Sequence, residues 1–361
     1  MNFNKKYSHA VNDDYPMPWV ELYKYLKSIG KNLTFNPAPE RFLSGMGNLN
    51  YKITLDGRPV VLRRPPLGPI PPGANNMTRE HSLLKALAPS WNLIPQAICL
   101  CSDPEVFGAP FQIMEYKEGK CIIGDNIPKE WNNKKSLAKI SKMLISLLST
   151  LHSINYKAIG LQSFGKPEGF LSRQLNGWKN RCIIATNNKP SKICNRLYVE
   201  LSKTFAADIN NPCIIHNDFK LDNILISKNE TSNTIEATAI IDWDQATIGS
   251  PLYDLATLLS YWIEKKDPSE LKLLKQMPTT IEGFPSRSEA INMYQKTTGF
   301  SMTGFRWIYS LAMYKLGVVF LQLYAQYLRG SVKNSKFSAF ENISNAVFER
   351  GLEVLIKKTE I

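Results

Sequence analysis

Apolar and polar positions along this chain fall into two regimes. Up to about residue 116 the apolar residues come in short runs broken by Gly, Pro, Asn and Asp. Beyond about residue 135 they recur every three or four positions. The first regime predicts strands. Lys52–Leu55 and Val60–Arg63 flank Asp56-Gly57, a two-residue turn signal, so a β-hairpin is expected there. Ala97–Cys101 and Phe111–Tyr116 read as two further strands. A helix is expected over Trp19–Ile29 with Gly30 closing it, and a second from a Thr78 cap through Leu87.

The second regime predicts helices. From Ser136 to Ile154, Leu137, Ile140, Met143, Leu144, Leu147, Leu148 and Leu151 share one face. Gly249–Ala256 opens a helix running to Ile263, with Asp254 in the first turn, where a carboxylate suits the helix dipole. Residues 267–300 read as a polar connection with short helices, and Phe305–Leu328 and Phe337–Ile356 close the helical part. The pattern predicts an α+β protein in two lobes. Residues 1–116 form a small sheet with one main helix near 78–88, and residues 117–361 form a larger, mainly helical lobe.

One stretch breaks the periodicity in an informative way. In Cys213–Ile226, CIIHNDFKLDNILI, two apolar runs bracket the polar loop His216–Asn223. Asp218 and Asn223 are five apart, the spacing that phosphotransferases of the protein-kinase type use for base and metal ligand. A second apolar strand ends nineteen residues on in Ile240-Ile241-Asp242-Trp243-Asp244, where such an enzyme carries its metal-binding D-F-G. Upstream, Ser44, Gly45 and Gly47 form a small-residue turn of the type that lets backbone N–H groups approach phosphate, although Asn50 stands where a third Gly would complete the pattern. Arg63 closes the hairpin where a phosphate-binding cation belongs, with Glu80 as its candidate helix partner or else a solvated helix carboxylate. Glu115 and Tyr116 end the last strand, at the position of an adenine-binding hinge or of an edge strand that turns into a linker. His81, His152 and His216 read as structural. Asp244 is a further metal or water ligand, or a helix-side carboxylate.

The chain has 361 residues, too many for one ordinary core, and 43% hydrophobic with 21% charged residues is a globular balance. The first twenty residues lack an apolar core of the secretory kind, so a cytoplasmic protein is expected. Trp307–Leu328 is interrupted by Lys315 and Gln322, which predicts a buried helix rather than a membrane span. The six cysteines show no metal-type spacing and read as reduced core thiols; zinc is not supported. A net charge of +13 favours anionic partners, but no nucleic-acid-binding motif accompanies it. Residues 160–205 alone carry eight basic residues against Glu168 and Glu200. They read as a solvated helical face or as a basic cap over the acceptor.

Together these motifs resemble the aminoglycoside phosphotransferase family of kinase-like small-molecule kinases, over about residues 35–355. LRRPP…REHSLLKAL (62–66 and 79–87), GFLSRQLNGWKNR (169–181) and IIDWDQATIGSPLYDLA (240–256) are similar to the kinase domain of acyl-CoA dehydrogenase family members ten and eleven. The resemblance implies a protein-kinase-like fold with ATP and Mg2+ as cofactors. It also implies Asp218 as catalytic base, Asn223 and Asp242 as metal ligands, and Arg63 with Glu80 on the phosphates. Asn217 and Trp243-Asp244 depart from the family's usual residues without removing a group the chemistry needs. The expected acceptor is an anionic hydroxy acid or hydroxyacyl-CoA. An antibiotic kinase and a non-catalytic nucleotide-binding module are the alternatives.

Overall fold

The structure is a computed structural model that describes residues 17–42, 47–68, 75–203, 211–229, 234–330, 335–357, 359 and 361. Two compact units make up the chain. One takes it up to Gly119, together with Leu225–Ser227 and Ala237–Gln245; the other holds Lys120–Ile224, Lys228–Glu236 and Ala246–Ile361. Residues 242–244, grouped with the helical lobe on sequence grounds, thus pack in the first unit.

The first unit is built on an antiparallel sheet of β1 (Leu33–Thr34), β2 (Glu40–Arg41), β3 (Leu49–Leu55), β4 (Arg58–Arg64), β5 (Ala97–Cys101) and β6 (Phe111–Glu115). Its order is β1-β3-β4-β6-β5, with β2 on β3. Along β3 the period-two alternation turns Leu49, Tyr51, Ile53 and Leu55 inward. Asp56 and Gly57 both adopt positive φ, 51° and 75°, the geometry a two-residue hairpin demands. The register places Arg63 opposite Asn50 on one side and Gln112 on the other. Helix α1 (Trp19–Ser28) lays Trp19, Leu22 and Leu26 on this core, with the Trp19 ring edge-on to Tyr51 and Phe107.

Helix α2 (Met77–Leu87) corrects one expectation. Its cap is Asn76, whose side chain accepts from the Arg79 N–H at 2.9 Å, not Thr78. The earlier start adds Met77 to the core at 2% exposure. A one-turn helix α3 (Pro104–Phe107) completes the unit's helices among the described residues.

The second unit contains α4 (Lys134–Ser153), α5 (Phe170–Ala185), α6 (Lys192–Lys203), α7 (Pro251–Ser260), the short α8 (Ser269–Lys272), α9 (Arg287–Thr298), α10 (Phe305–Leu328) and α11 (Phe340–Ile356). Helix α10 runs through the middle and packs on α5, α6, α7 and α11. Among the described residues it alone is long and apolar enough to cross a membrane, yet 78% of its apolar window is buried in the protein. Gly317 on α10 is required by close approach, because a Cβ there would run into the Phe348 ring of α11.

Helix α7 stops at Ser260, three residues short of the expected end. Thr279 both donates to the Ile263 carbonyl (2.8 Å) and accepts its N–H (2.9 Å), taking the backbone groups a longer helix would use. The nominally polar connection that follows hides an ion network. Arg287, 1% exposed, grips Asp267 through two bonds of 2.7 Å and lies 3.3 Å from Glu264. Two small sheets complete the topology. β7 (Cys213–Ile215) pairs antiparallel with β10 (Thr247–Gly249), and β8 (Ile224–Asn229) pairs with β9 (Thr234–Ile240). All six cysteines are free.

Candidate active site

In the first unit the candidate groups converge on Arg63. Its Nε donates to Glu80 Oε2 at 2.9 Å, one terminal nitrogen donates to Asn50 Oδ1 at 3.3 Å, and the other donates to Asp242 and lies 3.8 Å from Asp244. Glu80 is itself saturated, accepting from Gln112 Nε2 at 2.7 Å and from the Trp243 N–H at 3.1 Å. Burial alone would lower Arg63; the carboxylates of Glu80, Asp242 and Asp244 more than offset it and keep the guanidinium charged. Burial pushes Glu80 up, and Arg63 counters only part of that rise. The planar fork of arginine makes this possible, since one side chain binds several acceptors at once. Asp242 sits at φ 66°, a left-handed conformation that non-glycine residues seldom adopt. Asn48 holds Asp244 at 3.2 Å.

In the second unit the loop 216–223 is fixed from below. Asp254, in the first turn of α7, accepts the N–H groups of His216 and Asn217, both at 2.7 Å, and is met by His152 Nε2 at 3.2 Å. His152 in turn pairs with the Tyr294 hydroxyl at 2.5 Å. Burial would raise Asp254; bonding from His152 and the His216 N–H outweighs it and holds the carboxyl below its usual range. This clamp lets Asn217 take φ 65° directly before Asp218. Both the Asn217 carbonyl (2.6 Å) and its side-chain oxygen (2.8 Å) accept from Lys315 of α10.

The Asp218 carboxylate is oriented by three donors. Tyr261 Oη donates to Oδ1 at 3.2 Å, while Asn223 Nδ2 (3.2 Å) and Lys220 Nζ (3.3 Å) reach Oδ2. Asn223 Nδ2 also donates to the Asp218 carbonyl at 2.8 Å, which leaves the amide oxygen as the outward acceptor. Lys220 bridges on to Asp222 at 3.3 Å and lies 5.1 Å over the Tyr261 ring. Burial pushes Asp222 up to about 6 despite Lys220.

The remaining candidates are less informative. Ser44 and Gly45 lie outside the described residues. Gly47 is exposed and has space for a Cβ, so nothing steric requires glycine there. Glu115 is tied to Lys117 at 2.9 Å and to the Gln96 N–H at 3.1 Å. Tyr116 stacks on Phe42, with Lys52 4.3 Å over its ring. His216 is fully buried with its ring edge-on to Phe219. Sequence reading missed Lys220, Tyr261 and Lys315. Lys220 was visible, two residues after Asp218; Tyr261, just past the end of α7, and Lys315, on α10, lie far off in sequence and left no local signal.

A magnesium-type cation takes hard oxygen donors. The Asn223 amide oxygen and the Asp242 carboxylate are of that kind, so the donor types fit. No cluster of three or more His, Cys, Asp or Glu that could hold a metal ion occurs among the described residues.

Comparison with known proteins agrees with these features. Residues 39–289 match the model of the phosphotransferase enzyme family. The chain is 29% identical to acyl-CoA dehydrogenase family member 11 of Gallus gallus over 87% of its own length and 40% of that protein. It is 28% identical to the Homo sapiens member 11, over 94% and 42%, and 26% identical to member 10 of Mus musculus, over 97% and 32%. It thus spans about two fifths or less of these relatives. Among solved structures, a Ralstonia eutropha protein provisionally named an aminoglycoside phosphotransferase superposes with a TM-score of 0.75 at 21% identity, over 95% of this chain and 99% of that one. Choline kinase of Cryptosporidium parvum gives 0.56 at 16%, over 89% and 90%. A thermostable mutant of aminoglycoside phosphotransferase APH(4)-Ia, in complex with ADP and hygromycin B, gives 0.56 at 13%, over 90% and 97%. These likenesses show a protein-kinase-like α+β fold, and with the family match over residues 39–289 the chain belongs to the phosphotransferase enzyme family.

Proposed function

We propose that this chain transfers the γ-phosphoryl group of Mg–ATP to a hydroxyl of a small anionic acceptor, a hydroxy acid or hydroxyacyl-CoA, in the cytoplasm. The observation that carries the reading is the Asp218 carboxylate, held by Tyr261, Asn223 and Lys220 on a loop clamped by Asp254. A carboxylate so fixed can accept the hydrogen bond of an incoming hydroxyl and take its proton late, as suits a loose transition state. General-base help of this kind contributes about 10²–10⁴-fold.

Asn223 and Asp242 are the residues proposed to hold Mg2+, which when bound neutralises charge on the phosphates. Arg63, kept charged among its carboxylates, is assigned to the phosphates, with Glu80 fixing its direction. The Gly47 turn and the strand end at Glu115 and Tyr116 are assigned to the nucleotide. ADP in the APH(4)-Ia complex supports nucleotide binding here.

Two observations favour an anionic acceptor. The chain carries +13, a field that repels polycations and attracts anions. Its relatives, of which it spans about two fifths, are named as acyl-CoA dehydrogenase family members, and an acyl-CoA is an anionic thioester. An antibiotic kinase draws support from the hygromycin B complex but runs against this charge. The test is an ATP-consumption screen over hydroxy acids, hydroxyacyl-CoAs, amino alcohols and kanamycin. Turnover confined to the first two supports the reading, and turnover of kanamycin overturns the acceptor class. Thermal stabilisation by Mg–ATP with no turnover would return the chain to a non-catalytic nucleotide-binding module.

A further inference from the structure

The segment GFLSRQLNGWKNR (169–181) takes no part in the chemistry above, yet it supplies one wall of a cationic cluster. Trp178 of α5 is 6% exposed, and the Arg181 guanidinium lies 4.4 Å over its ring. The Lys315 ammonium stands 6.0 Å from the Trp178 ring and 5.6 Å from that of Tyr253. Lys315 is 4% exposed, and its two bonds to Asn217 leave the third ammonium proton unspent. Helices α5 and α10 thus bring an exposed and a buried cation to the Trp178 ring, and the buried one, which also faces Tyr253 of α7, is bonded to the residue that precedes Asp218.

These charges lack counter-ions of their own. Asp218 and Asp254 are near enough to act on Lys315, but both are committed elsewhere. Asp254 serves His152 and two backbone N–H groups, and Asp218 serves Lys220, Asn223 and Tyr261. Among the described residues no carboxylate forms an ion pair with Lys315 or Arg181. An ammonium buried without a carboxylate is costly, and aromatic faces recover only part of that cost. A ligand anion would supply the missing charge.

We propose that Lys315 and Arg181 form the acceptor's anion subsite, which binds the negatively charged end of the substrate so that its hydroxyl meets Asp218. The inference rests on the kinase reading above and names the residues behind its substrate class. Anionic oxygens are what the subsite recognises; the carboxylate of a free hydroxy acid and the phosphates of a CoA thioester both offer them. The rival role for Lys315 is a clamp on the Asn217 carbonyl, which would serve every acceptor equally.

The experiment is steady-state kinetics of the full chain with Mg–ATP on three matched series. These are three- to six-carbon hydroxy acids, their CoA thioesters, and neutral diols of the same chain lengths. Arg181→Gln, an exposed site that spares the loop, separates the subsite from folding; Lys315→Met and Lys315→Arg complete the set. The expected result is a rise of about tenfold to a hundredfold in KM for the acids, the thioesters or both in Arg181→Gln and Lys315→Met. Lys315→Arg should recover part of it, and KM for ATP should stay put. Which series responds identifies the anion. Wild-type use of diols as efficiently as of acids and thioesters overturns the subsite while leaving the kinase intact, and so does a loss confined to kcat on all acceptors. Absence of turnover on every series defeats the kinase reading, and the subsite with it.

Discussion

Removing the Asp254 carboxylate should disable the catalytic loop from beneath. The side chain is fully buried and accepts three bonds, two of 2.7 Å from backbone N–H groups and one of 3.2 Å from His152. Asp254→Ala leaves those donors without a partner inside the protein. At about 1–3 kcal/mol for each buried group left unsatisfied, the loss is about 3–6 kcal/mol, once water entering the gap is allowed for. Against a total stability of about 5–15 kcal/mol that is a large share. Asp254→Asn keeps one acceptor oxygen and should cost about half as much. Urea denaturation followed by tryptophan fluorescence reads the midpoint. With the loop released, kcat should fall at least about a hundredfold, because misplacing a catalytic group by an ångström is enough for that. Acid supplies a second check. His152 and the His216 N–H hold Asp254 below its usual range against burial, so its folded pKa lies under its unfolded value of about 3.9. The stabilisation is present above the unfolded value and lost as pH falls from there through the lower folded one. Wild type should therefore lose stability below about pH 4 more steeply than Asp254→Asn. An unchanged urea midpoint in Asp254→Ala would mean that Asp254 does not anchor the loop.

Arg287→Met should strand the buried Asp267 and Glu264 carboxylates, lowering stability by about 3–5 kcal/mol; calorimetry showing a melting temperature within a degree of wild type would contradict this. Glu80→Gln removes the charge that directs Arg63, so the thermal stabilisation gained from Mg–ATP should shrink, with about tenfold weaker binding by calorimetric titration; equal affinity would detach the pair from the nucleotide. Burial lowers Lys315 to about 8, against the raising influence of Asp218 and Asp254 and alongside Lys220 and Arg181, which lower it further. Its charge, and with it the affinity for an anionic acceptor, should fade as pH rises through about 8. KM for the acceptor should climb there, and a flat profile from pH 7 to 9.5 would count against the subsite. The same shift implies that charging Lys315 costs stability below about pH 8, a cost relieved as pH rises toward the unfolded value of about 10.4.

Local signals carried the elements well and the long-range contacts poorly. The Asp56-Gly57 turn, the alternation along Leu49–Leu55 and the Leu137–Leu151 face were readable because each is set by neighbours in sequence. Thr78 was taken as a cap because side-chain type alone cannot separate it from Asn76, and burial of Met77 decided between them. Arg63 and Glu80 could be paired from the motif order, and they do pair; that Arg63 also binds Asp242 could not be foreseen, because lysine in that slot would lack the fork. Asp254 read as a helix-dipole residue, whereas its two backbone bonds to the loop at 216–217 span almost forty positions. The Arg287 network sat largely in a stretch that read as a polar connection, since paired charges in a core look polar in sequence.

The central claim is that Asp218 performs the proton-handling step of phosphoryl transfer. Its most direct measurement pairs turnover with nucleotide binding in Asp218→Asn, an isosteric change. The single amide oxygen can keep the Lys220 and Asn223 contacts, while the amide NH2 can donate to the Tyr261 hydroxyl. In Asp218→Asn kcat should fall by about 10²–10⁴-fold while Mg–ATP stabilises the variant as it does wild type. Undiminished turnover in Asp218→Asn would contradict the claim.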